Sequence, residues 1–236
     1  IGADAYKVNI YTFHAFCNDV IQDNLPLFEK NVLDAISELE SIELFKLLID
    51  SFPKNNPLKR YRGDVYFEIN NLRNLFSSMK REGWLPAFII EKIDEYIAGL
   101  PDRDEYIAKR ATGIFKKGDV RTDKIADEKE KMEKLRADVN EFDRYQSLMR
   151  QKNRYDFDDM INWVIKAFEE NARLLASYKE KFQYRLVDEF QDSSGTQNKL
   201  VQLLFSFWER PNIFVVGDDD QSIYRFQGAN VENMLD

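Results

Sequence analysis

The chain has 236 residues, of which 44% are hydrophobic and 32% charged, a balance typical of a globular protein with an apolar core. It contains no run of 18 apolar residues, so the sequence predicts no membrane span, and a single cysteine excludes an internal disulfide. The net charge of −8 argues against a purely electrostatic nucleic-acid binder, although residues 106–124 carry six basic and two acidic side chains.

The first predicted elements are a short strand and a helix. Residues 8–11 (Val-Asn-Ile-Tyr) have the composition of a strand, and an amphipathic pattern from about residue 15 to 22 predicts a helix. Thr12 is a suitable N-cap for that helix because its hydroxyl can accept a hydrogen bond from the first turn.

The middle of the chain has a different texture. Residues 25–150 are rich in Leu, Ile, Phe, Glu and Lys at three- and four-residue spacing, which predicts helices and little strand. We expect an all-α subdomain there, without catalytic residues. Its basic stretch at 106–124 fits a solvated surface as well as it fits a basic track for DNA.

From about residue 151 the pattern alternates between strands and helices. Apolar runs at 184–187 and 213–216 predict two strands, and the segment 196–207 between them predicts a helix. Another helix is expected from about 156 to 171. A strand, a helix and a strand at this spacing form a βαβ unit, so we predict an α/β fold with a parallel sheet and a large all-α insertion.

Polar side chains follow both predicted strands. Asp188, Glu189, Gln191 and Asp192 come after the first, and residues 218–221 (Asp-Asp-Asp-Gln) come after the second. Ligands gather at the carboxyl edge of open parallel sheets. One carboxylate there could hold Mg²⁺ and its neighbour could activate a water, although an acidic pair after a strand is also common in ordinary solvated loops.

The longer strings at these positions are much more specific. Motif II of the UvrD/Rep/PcrA-type superfamily 1 DNA helicases resembles residues 186–192 (LVDEFQD), and motif III resembles residues 216–229 (VGDDDQSIYRFQGA). Motif Ib resembles residues 12–14 (TFH), and the approach to motif II resembles residues 155–159 (YDFDD). The resemblance implies a partial RecA-like P-loop NTPase parallel sheet in residues 1–24 and 151–236, with residues 25–150 as the family's inserted subdomain 1B.

The same resemblance implies ATP and Mg²⁺ as cofactors and gives individual residues a role in using them. Asp188 would bind the metal and Glu189 would be the general base. Gln221 would contact the γ-phosphate and couple hydrolysis to movement, and Gln191 would belong to the nucleotide-binding set.

The implied partners are single-stranded DNA and duplex junctions, with movement in the 3′→5′ direction. Tyr224 and Phe226 would stack on bases, and Thr12 and His14 would lie near the DNA backbone. Two positions depart from the family pattern. Phe226 stands where many members have Trp, and Gln227 stands where Arg is usual. The contact that the Arg would make with DNA or with a neighbouring motif is therefore in doubt.

Part of an ATP site is missing from the sequence. None of the nine glycines is followed by lysine, so there is no phosphate-binding loop. We interpret the start at Ile1 as the sign of an internal piece of a longer protein, expect no activity from the piece alone, and take the lone Cys17 as typical of the cytoplasm. A non-catalytic DNA- or protein-binding module stays open as an alternative. A metal-dependent nuclease is disfavoured because a two-metal site needs more carboxylates.

Overall fold

The computed structural model describes residues 8–28, 34–111, 113–205 and 212–218. Two compact units make up the chain. The sheet unit consists of Ile1–Ile36, Ser77–Gly83 and Asn153–Asp236, and the helical unit consists of Ser37–Phe76 and Trp84–Lys152. Within the described ranges, no helix has the length and apolar character needed to cross a membrane.

Helices dominate the described residues, with two short parallel ladders among them; β1, at Asp34–Ala35, lies within the region 25–150 that was predicted to be all-α. In chain order the helices and strands are α1 (Phe13–Asp23), α2 (Leu25–Phe28), β1 (Asp34–Ala35), α3 (Glu38–Asp50), α4 (Ile69–Glu82), α5 (Pro86–Gly99), α6 (Thr122–Asn140), α7 (Phe142–Gln151), β2 (Arg154–Tyr155), α8 (Phe157–Glu170), α9 (Ala172–Lys181), β3 (Arg185–Val187), α10 (Gly195–Phe205) and β4 (Ile213–Val215).

Helix α8 forms the centre of the sheet unit. It begins at a capping box, in which the side chains of Asp156 and Asp159 accept hydrogen bonds from each other's backbone N–H. Its buried residues Met160, Ile161, Val164, Ile165 and Phe168 pack with residues of α1, α9 and α10 in a single core cluster. Helix α1 is capped as predicted, because the Thr12 hydroxyl accepts from the backbone N–H of Ala15 at 3.2 Å.

The predicted βαβ unit is present. Strands β3 and β4 are parallel, with Arg185 opposite Ile213 and Val187 opposite Val215, and α10 connects them. A second, two-residue parallel ladder joins β1 to β2. The prediction of a strand at residues 8–11 is wrong. Within the described ranges these residues pair with no other strand, and a strand needs a hydrogen-bonded neighbour.

The helical unit encloses its own aromatic core. The rings of Phe45 and Tyr145 stack with centroids 4.6 Å apart, and Phe76 lies 5.3 Å from Tyr145. Glu68 is buried there at 1% exposure and forms ion pairs with Arg60 and Lys134. A buried carboxylate is costly unless it is paired and hydrogen-bonded, and this arrangement satisfies that requirement.

Candidate active site

The loops that follow β3 and β4 are joined to each other by backbone hydrogen bonds. The N–H of Val216 donates to the carbonyl of Val187 at 2.8 Å, and the N–H of Phe190 donates to the carbonyl of Val216 at 3.0 Å. The polar residues after β3 are therefore held next to the backbone that leaves β4. This is the edge at which ligands of parallel sheets bind.

The acidic pair Asp188-Glu189 is exposed at this edge. One carboxylate oxygen of Asp188 accepts the backbone N–H of Glu189 at 3.0 Å. Glu189 has φ 51° and ψ 42°, in the left-handed region, which costs a non-glycine residue about 1–2 kcal/mol. Strained conformations of this kind persist where the surrounding structure fixes them, and they cluster at functional sites.

Gln191 is the buried polar residue between the two strand ends, with 2% of its surface exposed. Its Nε2 donates to Oε2 of Glu189 at 2.6 Å. Its Oε1 accepts the backbone N–H of Asp218 at 3.1 Å. One side chain thus connects the acidic pair after β3 to the first polar residue after β4.

An open cleft of about 1210 Å³ lies beside this edge. Its walls come from residues 8–14, β3, β4 and α10, and Asp188 and Glu189 border it. Thr12 and His14 line the same cleft, so the structure brings two of the residues predicted to contact DNA close to the acidic pair.

His14 is an uncharged member of this cleft. Burial lowers the pKa of its imidazole, so the ring is neutral at pH 7. The ring meets Phe157 edge-on at 5.9 Å, and its Nε2 has no hydrogen-bond partner within the described ranges. A neutral imidazole can exchange a hydrogen bond with a ligand but contributes no charge to phosphate binding.

The sequence matches a known family over almost its whole length. The model of the UvrD/REP helicase N-terminal domain matches residues 2–236. The chain belongs to the UvrD/REP helicase family.

Two relatives illustrate this membership in the UvrD/REP helicase family. The "Probable DNA helicase II homolog" of Mycoplasma genitalium is 30% identical over 226 residues, which cover 95% of the chain and 26% of that protein. The ATP-dependent DNA helicase PcrA of Staphylococcus aureus (strain Mu50) is 45% identical over 91 residues, which cover 39% of the chain and 12% of PcrA. The chain therefore spans at most about a quarter of the length of these relatives.

Four positions singled out from the helicase resemblance lie outside the described residues: Gln221, Tyr224, Phe226 and Gln227. The predicted meeting of Asp188-Glu189 with Gln221 stays a prediction. Asp218, three residues before Gln221, is described, and its backbone is bound to Gln191 next to the acidic pair.

The donor set fits a single Mg²⁺ better than a closed metal cage. Among the described residues, no group of three or more His, Cys, Asp or Glu side chains could surround a metal. Asp188 is exposed, and within the described ranges only one of its carboxylate oxygens accepts a hydrogen bond. Magnesium in phosphate-transfer sites commonly takes one or two carboxylates and completes its shell with water and phosphate oxygens.

Sequence reasoning missed the buried ion cluster that holds the start of α8. The side chain of Lys80 is 3% exposed, and its Nζ lies 2.5 Å from Oδ2 of Asp156 and 2.9 Å from Oδ1 of Asp159. Burial raises the pKa of Asp156 to about 6, although the Lys80 ammonium favours the charged carboxylate. The sequence predicted a helix beginning near residue 156, but nothing in it pointed to Lys80, 76 residues earlier, as the partner of Asp156.

Proposed function

We propose that the chain is an internal segment of the first motor domain of an ATP-dependent DNA helicase. In this proposal the sheet unit belongs to a RecA-like sheet and the helical unit is an insertion in it. The observation that carries the proposal is the exposed pair Asp188-Glu189, held at the carboxyl edge of two parallel strands. Membership of the UvrD/REP helicase family supports it independently.

The acidic pair divides the chemistry of hydrolysis between two carboxylates. Asp188 would hold the Mg²⁺ of Mg·ATP through the oxygen that has no partner in the described part of the chain. The ion would supply positive charge that neutralises the phosphates. Glu189 would orient the attacking water and accept its proton. Gln221 would report the presence of the γ-phosphate through a hydrogen bond that is lost after hydrolysis.

DNA would bind along the cleft side of the sheet unit. Thr12 and His14 line the cleft beside the acidic pair, which supports a strand path close to the nucleotide. Tyr224 and Phe226 would stack on successive bases without reading their identity, as a translocase requires. The proposal includes 3′→5′ movement on single-stranded DNA and unwinding of duplex junctions. It also places the protein in the cytoplasm.

The chain alone would not hydrolyse ATP, because its sequence contains no phosphate-binding loop. The test uses the full-length protein that contains this chain and measures DNA-stimulated ATP hydrolysis and strand displacement. We expect hydrolysis that needs Mg²⁺ and single-stranded DNA, and displacement on duplexes with a 3′ tail but not with a 5′ tail. Robust hydrolysis by the 236 residues alone, or none by the full-length protein, would contradict the proposal.

A binding module without catalysis is the second candidate, and one observation favours it. In the helical unit, Ile107 and Val120 pair in an antiparallel bridge at the base of a hairpin. The exposed Lys109, Lys116 and Lys117 lie on this hairpin, and Ile114 on it is 90% exposed. Exposed cations of this kind suit contacts with phosphates and need no ATP. DNA binding without hydrolysis by the full-length protein would favour this candidate.

A further inference from the structure

Gln191 is buried too deeply to meet a nucleotide directly. It is 2% exposed, as deeply buried as the apolar core side chains around α8. Burying an amide is costly unless its polar atoms are hydrogen-bonded, and both atoms here have partners within the protein. Its contribution to the site therefore passes through those partners.

The partners fix the orientation of the amide. The Glu189 carboxylate can only accept, so it faces the Nε2 donor at 2.6 Å, and the Asp218 N–H can only donate, so it faces Oε1 at 3.1 Å. An amide satisfies this pair of demands, whereas a carboxylate or an ammonium at the same position would satisfy only one of them.

The consequence for Glu189 is geometric. Its backbone is fixed in the left-handed region, but its carboxylate is exposed and lies at the end of a flexible side chain. The bond from Gln191 holds Oε2, and Oε1 has no hydrogen-bond partner among the described residues, so it can face a water. General-base catalysis depends on such alignment, because a carboxylate that points elsewhere cannot receive the proton.

We propose that Gln191 is a positioning residue that couples the orientation of the Glu189 carboxylate to the backbone at Asp218. A shift of the chain after β4 moves the Asp218 N–H, moves the Gln191 amide with it and reorients the base. The inference rests on the proposed function, because Glu189 must be the base. The sequence predicted a direct contact between Gln191 and the nucleotide. In the present inference Gln191 acts on hydrolysis only through Glu189.

The test compares steady-state ATP hydrolysis by the full-length helicase carrying Gln191→Glu with the wild type at saturating DNA. An ionised Glu at this position can still accept the Asp218 N–H, but it cannot donate to Glu189 and places a second negative charge beside it; measuring kcat at pH 8 to 9 favours this ionised form. We expect kcat to fall about 10- to 100-fold, the size of effect that misplaced catalytic groups produce, with KM for ATP within about twofold of the wild type.

Gln22→Glu is the matched control. It makes the same chemical change on helix α1 of the sheet unit, at an exposed position outside the residues that line the cleft. We expect wild-type kcat from this variant. Gln191→Met is a second test variant, because an unbranched apolar side chain of similar length fits the buried space while removing both hydrogen bonds. It should also lose kcat selectively.

The results for these variants decide the inference. A selective loss of kcat in Gln191→Glu and Gln191→Met, with thermal stability near that of the wild type, supports it. Wild-type kcat in both variants overturns it, as does a fall in stability accompanied by equal losses in ATP affinity, DNA affinity and kcat. Glu189→Gln separates this inference from the proposed function. If that variant hydrolyses ATP normally, the proposed function is wrong. If it is inactive while the Gln191 variants have wild-type kcat, only the proposed role of Gln191 is wrong.

Discussion

The helical unit and the sheet unit differ in their balance of charges, and the sheet unit has exposed apolar residues on its strands. The helical unit stacks Phe45, Phe76 and Tyr145 inside itself and has 21 basic and 21 acidic residues. The sheet unit has 13 basic and 21 acidic residues and leaves apolar strand residues exposed, with Leu186 at 69% and Phe214 at 67%. Parallel strands are normally covered on both faces. The proposed ATP hydrolysis thus belongs to the sheet unit, in which apolar strand residues are left uncovered by the described part of the chain.

The largest expected effect on folding comes from the ion cluster that holds α8 in the sheet unit. Lys80→Met leaves Asp156 and Asp159 without their buried cation, and breaking a buried ion pair by removing one partner costs about 3–5 kcal/mol. Urea denaturation of the chain at pH 8 should show this loss of unfolding free energy. Below about pH 6 Asp156 takes up a proton in the folded state, so the loss should be smaller at pH 5.

Lys166→Met is the control for that experiment. Lys166 lies on α8 itself, and its ion pair with Glu170 is exposed on both sides. Exposed pairs contribute about 0–1 kcal/mol, so this variant should denature almost like the wild type at both pH values. Equal losses in the two variants would show that the buried cluster has no special role.

The exposed strand face gives a prediction that separates the chain from the full-length protein. In the chain, Leu186→Ser should change the unfolding free energy little, because Leu186 is 69% exposed. If further strands cover this face in the full-length protein, the same substitution should cost about 2–5 kcal/mol there. Thermal denaturation of both proteins measures the difference. A small effect in both would mean that the face stays open.

The helical unit contains one carboxyl group that should make its stability depend on pH. Burial, and then the nearby Glu68, raise the pKa of Asp138 to about 7, and its Oδ1 has no partner among the described residues. The folded state binds this proton more tightly than the unfolded state, whose carboxyl titrates near pH 4. Stability is therefore lost as pH rises from about 4 to 7 and is constant above that.

Asp138→Asn removes this dependence. At pH 8 the variant should be more stable than the wild type by about 1–3 kcal/mol, because a neutral amide is cheaper to bury than a charge. At pH 4 the two should be nearly equal. Asp127→Asn, an exposed position on the same helix α6, should change stability little at either pH. An advantage for Asp138→Asn that is equal at pH 4 and pH 8 would rule out titration as its cause.

The smallest expected effect concerns the basic hairpin of the helical unit. Replacing Lys116 and Lys117 by Glu should weaken binding of a fluorescein-labelled DNA duplex roughly tenfold and lower the salt dependence by about one unit per lost phosphate contact. The same charge change at the exposed Lys54 and Lys129 is the control. Equal weakening by both pairs, measured by fluorescence anisotropy, would mean that net charge alone matters.

The sequence predicted features of the fold that depend on local pattern. Thr12 caps α1, α8 spans Phe157–Glu170 close to the predicted range of about 156 to 171, and the βαβ unit forms with parallel strands. The strand predicted at residues 8–11 is wrong, because a strand needs a hydrogen-bonded neighbour and composition cannot supply one. The family resemblance identified the acidic pair, but its geometry needed coordinates.

Two residues show why the remaining features were beyond sequence reasoning. Lys80 meets Asp156 across 76 residues, and Gln191 meets the backbone of Asp218 across 27. Neither contact leaves a periodic pattern or a spacing in the sequence. Gln191 was assigned to the nucleotide from its position in the motif, whereas its burial and its two bonds favour a role through Glu189.

The most direct test of the central claim is ATP hydrolysis by the full-length helicase with Glu189→Gln, measured together with ATP binding. The account predicts that ATP still binds with wild-type affinity, while DNA-stimulated turnover falls about 10²- to 10⁴-fold, the usual contribution of a general base. Turnover at the wild-type rate would contradict the account, because the acidic pair after β3 would then not be the catalytic edge of the sheet.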